Sequence, residues 1–450
     1  MSQENSSFSG TTPGNPAGNP ETGNTSGESR TMVLDGRTLA LASLVNSGLG
    51  AVYWFVAARL YPTADVGVAS TTINTALTLA TVSNLALGPV IERLLPVAGR
   101  LQLRLVTLVQ IVTVVLAVLL AGLFLLVGPA DRLFSDGREQ LLFVVAVPVL
   151  AQYTIQDSVL IGLRLGRVNA LRNVLHALVK LALIGALATT GAASGIVLSW
   201  IVPSLVGVTV IQVALLVSGQ LLRRDRHVAP QLPTTRRILG FNAMATIWMV
   251  VQALPGLIIP VIILRGTSGE DAAYFNLSWT VVTASTVLIS AVAGPFVSAA
   301  ARFPEQLAPL TRRFIVMYLR ISVLRALIVA VGGPVLMWIY GADYARHATP
   351  LLLLIALGQA ISTSAYIYGN LERVNGRIGF SALLQGVGAA VLIGAAAVLV
   401  PAHGLVGAGV AYLIHDVYLL VASGPRAATL IRSMRGGVLP DNRLRPELTT

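Results

Sequence analysis

The chain has 450 residues, 55% hydrophobic and 11% charged, with a formal net charge of +12. Soluble globular domains carry roughly 25% charged residues, so the composition excludes an ordinary soluble enzyme and points to a membrane protein. Cysteine is absent, which excludes disulfides, thiolate metal sites and a cysteine nucleophile.

Residues 1–36 are rich in Ser, Gly, Asn, Thr and Pro and hold few large apolar side chains. Too little surface can be buried there to offset ordering entropy, so a disordered cytoplasmic tail is expected. It lacks the basic start and apolar core of a secretory signal.

From residue 37 the sequence predicts twelve membrane-spanning helices. Their approximate limits are 38–60, 66–91, 104–128, 140–162, 168–190, 195–218, 238–264, 272–300, 314–339, 348–371, 377–400 and 404–424. A helix of about 20 apolar residues crosses a ~30 Å hydrocarbon core, and only a helix or closed barrel satisfies its backbone there. The expected domains are a six-helix lobe over 37–218, a cytoplasmic linker over 219–237, a second six-helix lobe over 238–425 and a cytoplasmic tail over 426–450.

Arginines sort by loop. The loops after even-numbered spans hold sixteen: Arg93, Arg100 and Arg104; Arg164, Arg167 and Arg172; Arg223, Arg224, Arg226, Arg236 and Arg237; Arg302, Arg312 and Arg313; Arg373 and Arg377. The opposite loops hold five, namely Arg59, Arg132, Arg138, Arg265 and Arg346. Positive loops stay in the cytoplasm, so both termini are expected there. This distribution accounts for the net charge without a nucleic-acid partner.

The two halves repeat. Asp65, Gly88 and Pro89 recur as Asp271, Gly294 and Pro295 at an offset of 206, and "RVN" at 167–169 recurs at 373–375. "LIGA" at 183–186 recurs at 392–395, and Gly195 matches Gly404, both at an offset of 209. Six spans per half is an even number, so the halves share one orientation. Transporters built this way bind substrate between repeats and rock one against the other.

Polar side chains interrupt the spans. Thr71, Asn74, Thr75, Thr78 and Thr81 share one face of span 2, and Asn276, Thr280, Thr283 and Ser290 form a similar stripe in span 8. Two readings stay open: hydrogen bonding between packed helices, or the wall of a central cleft lined by Asn74, Thr78, Asn276 and Thr280. In span 5, Arg172, His176 and Lys180 lie at i, i+4 and i+8, and Lys180 is the sole lysine among 31 Lys and Arg residues. At 1.5 Å per residue it sits ~18 Å into the membrane, too deep to snorkel out easily. It faces a wet cavity, a ligand or a carboxylate partner. Arg172 could pair with Asp157 across the hairpin. Arg325 lies deep in span 9. Mainly cationic groups in the membrane suit a phosphate or pyrophosphate, so Arg172, His176, Lys180 and Arg325 are the candidate contacts for an anionic headgroup. A lone lysine in "LVKLAL" excludes a P-loop. No His/Glu cluster has metal-ligand spacing, so neither a cofactor nor an enzymatic centre is expected.

Two stretches carry a family resemblance. "FVAARLYPTADVGVASTTINTALTLATVSNLALGPVIERLLP" (55–96) resembles the first hairpin of polysaccharide-biosynthesis flippases, through Asp65, Gly67, Leu87, Gly88, Arg93, Leu95 and Pro96. "IYGADYARHATPLLLLIALG" (339–358) resembles a second-half segment of the same family, through Gly341, Asp343, Tyr344, Ala345 and Leu351 to Leu354. The family belongs to the multidrug/oligosaccharidyl-lipid/polysaccharide exporter superfamily. The resemblance implies a V-shaped all-α exporter of the bacterial cell membrane, alternating access and a polyprenyl-pyrophosphate-linked oligosaccharide as substrate. Membrane lipids and a polysaccharide polymerase or glycosyltransferases are the implied partners. The alternatives are a cation-coupled multidrug exporter and a non-transporting scaffold for a polysaccharide-assembly complex. Span 1 lacks the acidic residue typical of the drug exporters.

Overall fold

The computed structural model describes residues 48–190, 192–219, 235–375 and 378–435, and every regular element among them is helical. The expected tail over 1–36 lies outside the described residues, as does most of the linker over 219–237. In the expected tail over 426–450, residues 426–435 continue the last helix and the remainder lies outside the described residues.

The N-terminal half contains α1 (Gly48–Leu60), α2 (Thr63–Ser83), α3 (Leu87–Leu94), α4 (Gln102–Val127), the short α5 (Ala130–Leu133), α6 (Gly137–Gly162), α7 (Gly166–Ala186) and α8 (Ala193–Val217). The C-terminal half contains α9 (Thr235–Gly266), α10 (Gly269–Arg302), α11 (Leu307–Leu327), α12 (Gly333–Tyr340), α13 (Ala342–Ile361), α14 (Thr363–Val374) and α15 (Ile378–Arg435). Among the described residues, seven helical stretches can cross a membrane by length and hydropathy, or up to nine if α2 with α3 and α13 with α14 each form one bent crossing. The expected count of twelve is not reached by these criteria alone. Three of its spans are not separate in that count: α1 is described over only 13 residues, α15 holds two expected spans in one run, and α10, a continuous helix of 34 residues, is not among the seven. The last two join at Gly404, where φ of 59° and ψ of −139° break the helical path. That conformation favours glycine, which has no Cβ to clash.

The apolar core forks. At the end where α2 and α10 begin, one buried cluster includes Tyr53, Val66 and Ile196 from the first half and Phe275, Tyr340 and Leu352 from the second. At the other end it separates. Ile91, Ile155 and Val159 pack in one lobe, and Phe296, Phe314 and Tyr318 in the other. Two lobes fused at one end and split at the other form the expected V.

Helices α2 and α10 are repeat mates and pack along the seam between lobes. Pairs at the repeat offset meet there: Asn276 donates to Ser70 at 3.0 Å, 206 residues away. The mates differ further along. α10 runs unbroken through Gly294 and Pro295, whereas α2 and α3 bend by 50°. Leu85 and Ala86 sit in the break with φ of 47° and 51°, a left-handed conformation unfavourable for both side chains. The Leu85 carbonyl accepts hydrogen bonds from Asn242 (3.0 Å) and Thr246 (2.7 Å) on α9, which fixes the strained turn from the other lobe.

Candidate functional site

A cavity of about 350 Å³ lies between the lobes, walled by α2, α9 and α10. Asn74, Leu77, Thr78 and Thr81 come from α2; Gln252, Ala253, Gly256 and Pro260 from α9; Asn276, Trp279, Thr280 and Thr283 from α10. The sequence-derived residues Asn74, Thr78, Asn276 and Thr280 all border it. The spacing accounts for this: residues three and four apart on α2 and on its mate α10 form facing stripes.

The polar atoms have a consistent bias. Thr78 donates to the Asn74 carbonyl at 2.8 Å, Thr81 to Leu77 at 2.8 Å, Thr280 to Asn276 at 3.1 Å and Thr283 to Trp279 at 2.9 Å. Each hydroxyl spends its proton on its own helix and turns lone pairs to the cavity. Pro260 has no N–H, so the Gly256 carbonyl four residues earlier lacks its helical donor. The wall therefore presents mainly acceptors. Gln252 adds an exposed amide. The Trp279 indole is backed by Tyr412 at 5.0 Å and stacked on Phe275 at 5.9 Å. None of the twelve lining residues is ionisable.

One end of the cavity is shut. Asn74 donates to Asn276 Oδ1 at 2.9 Å, and Asn276 donates in turn to Thr71 at 2.8 Å and Ser70. One turn beyond, Gly67 of α2 crosses the start of α10. A Cβ on Gly67 would lie 2.8 Å from the Ala273 nitrogen and closer still to the Gly269 carbonyl oxygen. Two further lobe contacts support this end: Arg59 donates to the Ile339 carbonyl at 3.0 Å and Tyr340 to the Ala51 carbonyl at 3.3 Å. Towards the other end the lining residues Thr81, Gln252 and Thr283 are exposed, so the cavity opens there.

The four sequence-derived cations are not brought together, and none borders this cavity. Arg172 is buried in the N-terminal lobe. It donates to Asp157 Oδ1 at 2.6 Å, to Gln156 at 3.1 Å and to the Tyr153 carbonyl at 3.0 Å. His176 contacts the Ser204 hydroxyl at 3.0 Å and lies against the Tyr153 ring. Arg172 and His176 also border a separate, mostly apolar groove between α7 and α8. Arg325 lies in the other lobe, donating to Ser285 at 3.3 Å below the Tyr366 ring.

Lys180 has an unusual setting. Its ammonium lies 3.7 Å from the Trp200 ring centre and 4.8 Å from that of Tyr53, and no carboxylate among the described residues pairs with it. Tyr53 is fixed by its hydroxyl against Ser199 at 2.7 Å. The sole lysine thus joins α1, α7 and α8 through two π faces. Desolvated contacts of this kind contribute about 2 kcal/mol. Trp200→Leu keeps an apolar filler but removes the main face, so it should destabilise the protein by about 2 kcal/mol. Adding Lys180→Met should recover most of the loss, as read by thermal unfolding in detergent. An unchanged midpoint in Trp200→Leu would show that the rings do not hold the ammonium.

Three residues escaped the sequence reading. Gln252 is a lone polar side chain in an apolar run, and Trp279 reads as core in any apolar helix. Asp416 is buried in the last span beside His415 at 3.1 Å and presses against Gly358. An acid inside "AYLIHDVYLL" was its visible signal.

The two-lobed helical fold is shared with solved transporter structures. The chain is similar to an inward-facing multidrug resistance MATE family transporter of the MOP superfamily (TM-score 0.59, 14% identity, covering 87% of this chain and 96% of that one). It is also similar to the lipid II flippase MurJ in an inward closed conformation (0.56, 12%, 88% and 89%) and to a MOP superfamily transporter from Pyrococcus furiosus (0.53, 14%, 88% and 95%). The chain belongs to the polysaccharide biosynthesis protein family, whose model matches residues 35–304. No curated protein sequence matches it.

Proposed function

We propose that this multi-pass membrane protein is an alternating-access flippase. Its substrate is a polyprenyl-pyrophosphate-linked oligosaccharide, carried from the cytoplasmic to the outer leaflet of a bacterial plasma membrane. Twelve spans leave both termini in the cytoplasm, and the arginine-rich loops assign the open end of the cavity to that side. The observation that carries the reading is the cavity itself: hydroxyls, amides and one indole at the seam between repeat-related helices, shut at one end. Sugars are bound by such groups. A cationic drug would need a carboxylate, and α2, α9 and α10 carry acidic residues only at the α2 and α10 starts, namely Asp65, Glu270 and Asp271. The saccharide occupies the cavity while the pyrophosphate and polyprenyl chain remain in the headgroup layer and bilayer. In this reading Arg172, Lys180 and Arg325 hold their lobes together. Glycosyltransferases that build the lipid-linked saccharide and a polymerase that consumes it are the partners.

The test is Asn276→Leu, expressed in place of the native protein. It removes the hydrogen bonds to Ser70, Thr71 and Asn74 at the floor of the cavity. Surface polysaccharide should fall several-fold, with lipid-linked saccharide accumulating on the cytoplasmic leaflet and the protein still present in the membrane. A scaffold would tolerate this change, so wild-type polysaccharide would defeat the proposal. Pump-dependent dye efflux from energised cells would favour a drug exporter instead.

A further inference from the structure

We infer that the cavity selects uncharged saccharides and that Trp279 is the residue on which the sugar ring stacks. The inference rests on the flippase reading and adds the substrate class. Its ground is the absence of acidic and basic side chains along three consecutive cavity walls. α2 has none between Asp65 and its end at Ser83, α9 none between Arg237 and Arg265, and α10 none between Asp271 and Arg302. A uronate carried into this space would lose its hydration with no cation to replace it, and an amino sugar would meet no acid. Neutral hydroxyls suffer no such penalty. They donate protons, and the Thr78 and Thr280 hydroxyls, with the unmatched Gly256 carbonyl, are acceptors.

Trp279 supplies the complementary element. One face of a pyranose is a sheet of C–H groups with slight positive charge, and the face of an indole is the negative side of its quadrupole. Phe275 and Tyr412 pack against the ring, so little side-chain freedom is lost when a sugar settles on it. Gln252 and Asn74 stand on the facing helices, where their amides bond the sugar rim.

The experiment uses the full-length protein in proteoliposomes with polyprenyl-pyrophosphate-linked oligosaccharides that differ only in carrying a hexose or the matching hexuronate. Translocation is read by exposure to an external glycosidase. Protection of a single cysteine, Thr280→Cys, from maleimide by the free oligosaccharides is read in parallel; the native chain has no cysteine to interfere. The hexose form should cross about tenfold faster than the hexuronate form, and the neutral oligosaccharide alone should protect the cysteine. Trp279→Ala should slow the hexose form about tenfold, whereas Trp279→Phe keeps most of the rate. Gln252→Arg, on the exposed wall, should narrow the gap by admitting the hexuronate. Equal rates and equal protection for the two sugars would overturn the inference and leave the flippase reading intact. Selective protection without translocation of either would overturn the flippase reading and leave the selectivity standing. Neither protection nor translocation would end both.

Discussion

Replacing Asp157 with Ala destabilises the N-terminal lobe by about 3 kcal/mol, the lower end of the scale for leaving a buried charge unpaired, because Arg172 is buried while the Asp157 side chain is 33% exposed. The reason lies in what Arg172 would lose. Its guanidinium is buried against the Tyr153 ring at 4.0 Å, and Asp157 is its only acidic partner among the described residues. Without it the charge keeps only the Gln156 amide oxygen and the Tyr153 carbonyl. Gln156 also donates to the Val208 carbonyl at 3.1 Å and reaches Gln212 at 3.3 Å. Gln212 is joined to Gln110 at 3.0 Å, and Gln152 donates to the Gln110 carbonyl at 2.9 Å. Disturbing Arg172 therefore loosens α4, α6, α7 and α8 together, at the end of the lobe that stands free of its partner. Rocking of lobes as rigid bodies needs that end to be stiff. Thermal unfolding in detergent should show a lower midpoint for Asp157→Ala. The double variant Asp157→Leu with Arg172→Met should return close to the native value, because it removes the charge along with its partner. A native midpoint in the single variant would mean that the network carries no stability. A double variant as weak as the single would mean that packing, not charge, decides.

The contrast between these cations and the cavity walls shows which physics a linear sequence carries. Asn74, Thr78, Asn276 and Thr280 were legible because an amide facing lipid is costly and because similar polar stripes run along two helices related by the repeat. Cost and symmetry together leave the seam between lobes as their place. Arg172, His176 and Lys180 were legible as one face of α7 and as deep in the membrane, but helical spacing does not say which neighbour that face meets. The neighbours were Tyr153 and Asp157 of α6, Ser204 and Trp200 of α8, and Tyr53 of α1. Aromatic partners leave no charge signature in sequence, so the two rings were not among the surroundings expected for Lys180, which were a wet cavity, a ligand or a carboxylate. The break after α2 was hidden for another reason. It falls at Leu85 and Ala86, residues that normally favour helix, and its support comes from Asn242 and Thr246, about 160 residues away. The Gly404 turn was visible, since a glycine recurring at the repeat offset marks a loop.

Gly67→Leu shifts the protein away from the state seen here by about 5- to 150-fold, because its cost falls on one conformation only. At this crossing the α2 backbone lies directly on α10. The built Cβ meets the Ala273 nitrogen at 2.8 Å and the Gly269 carbonyl oxygen more closely, and both are backbone atoms that no rotamer change can move. Gly269 is close-packed from the other side, since its own Cβ would lie 3.0 Å from the Ala64 carbonyl oxygen. Overpacking of this kind costs about 1–3 kcal/mol. The cost is relieved when the lobes part at this end, which is the end assigned to the outer face. The natural absence of cysteine makes the shift readable. With Thr280→Cys as the single thiol, an impermeant maleimide added from the cytoplasmic side should label the otherwise unaltered protein. Gly67→Leu should raise labelling from the outer side several-fold and lower it from the cytoplasmic side. Gly294→Ala is the control, because a Cβ there meets nothing within 4 Å and the helix gains propensity. Its labelling should follow the parent. Outer-side labelling that stays at the parent level in Gly67→Leu would show that the glycine crossing does not gate the cavity, and that closure depends on the Asn74–Asn276 bridge below it.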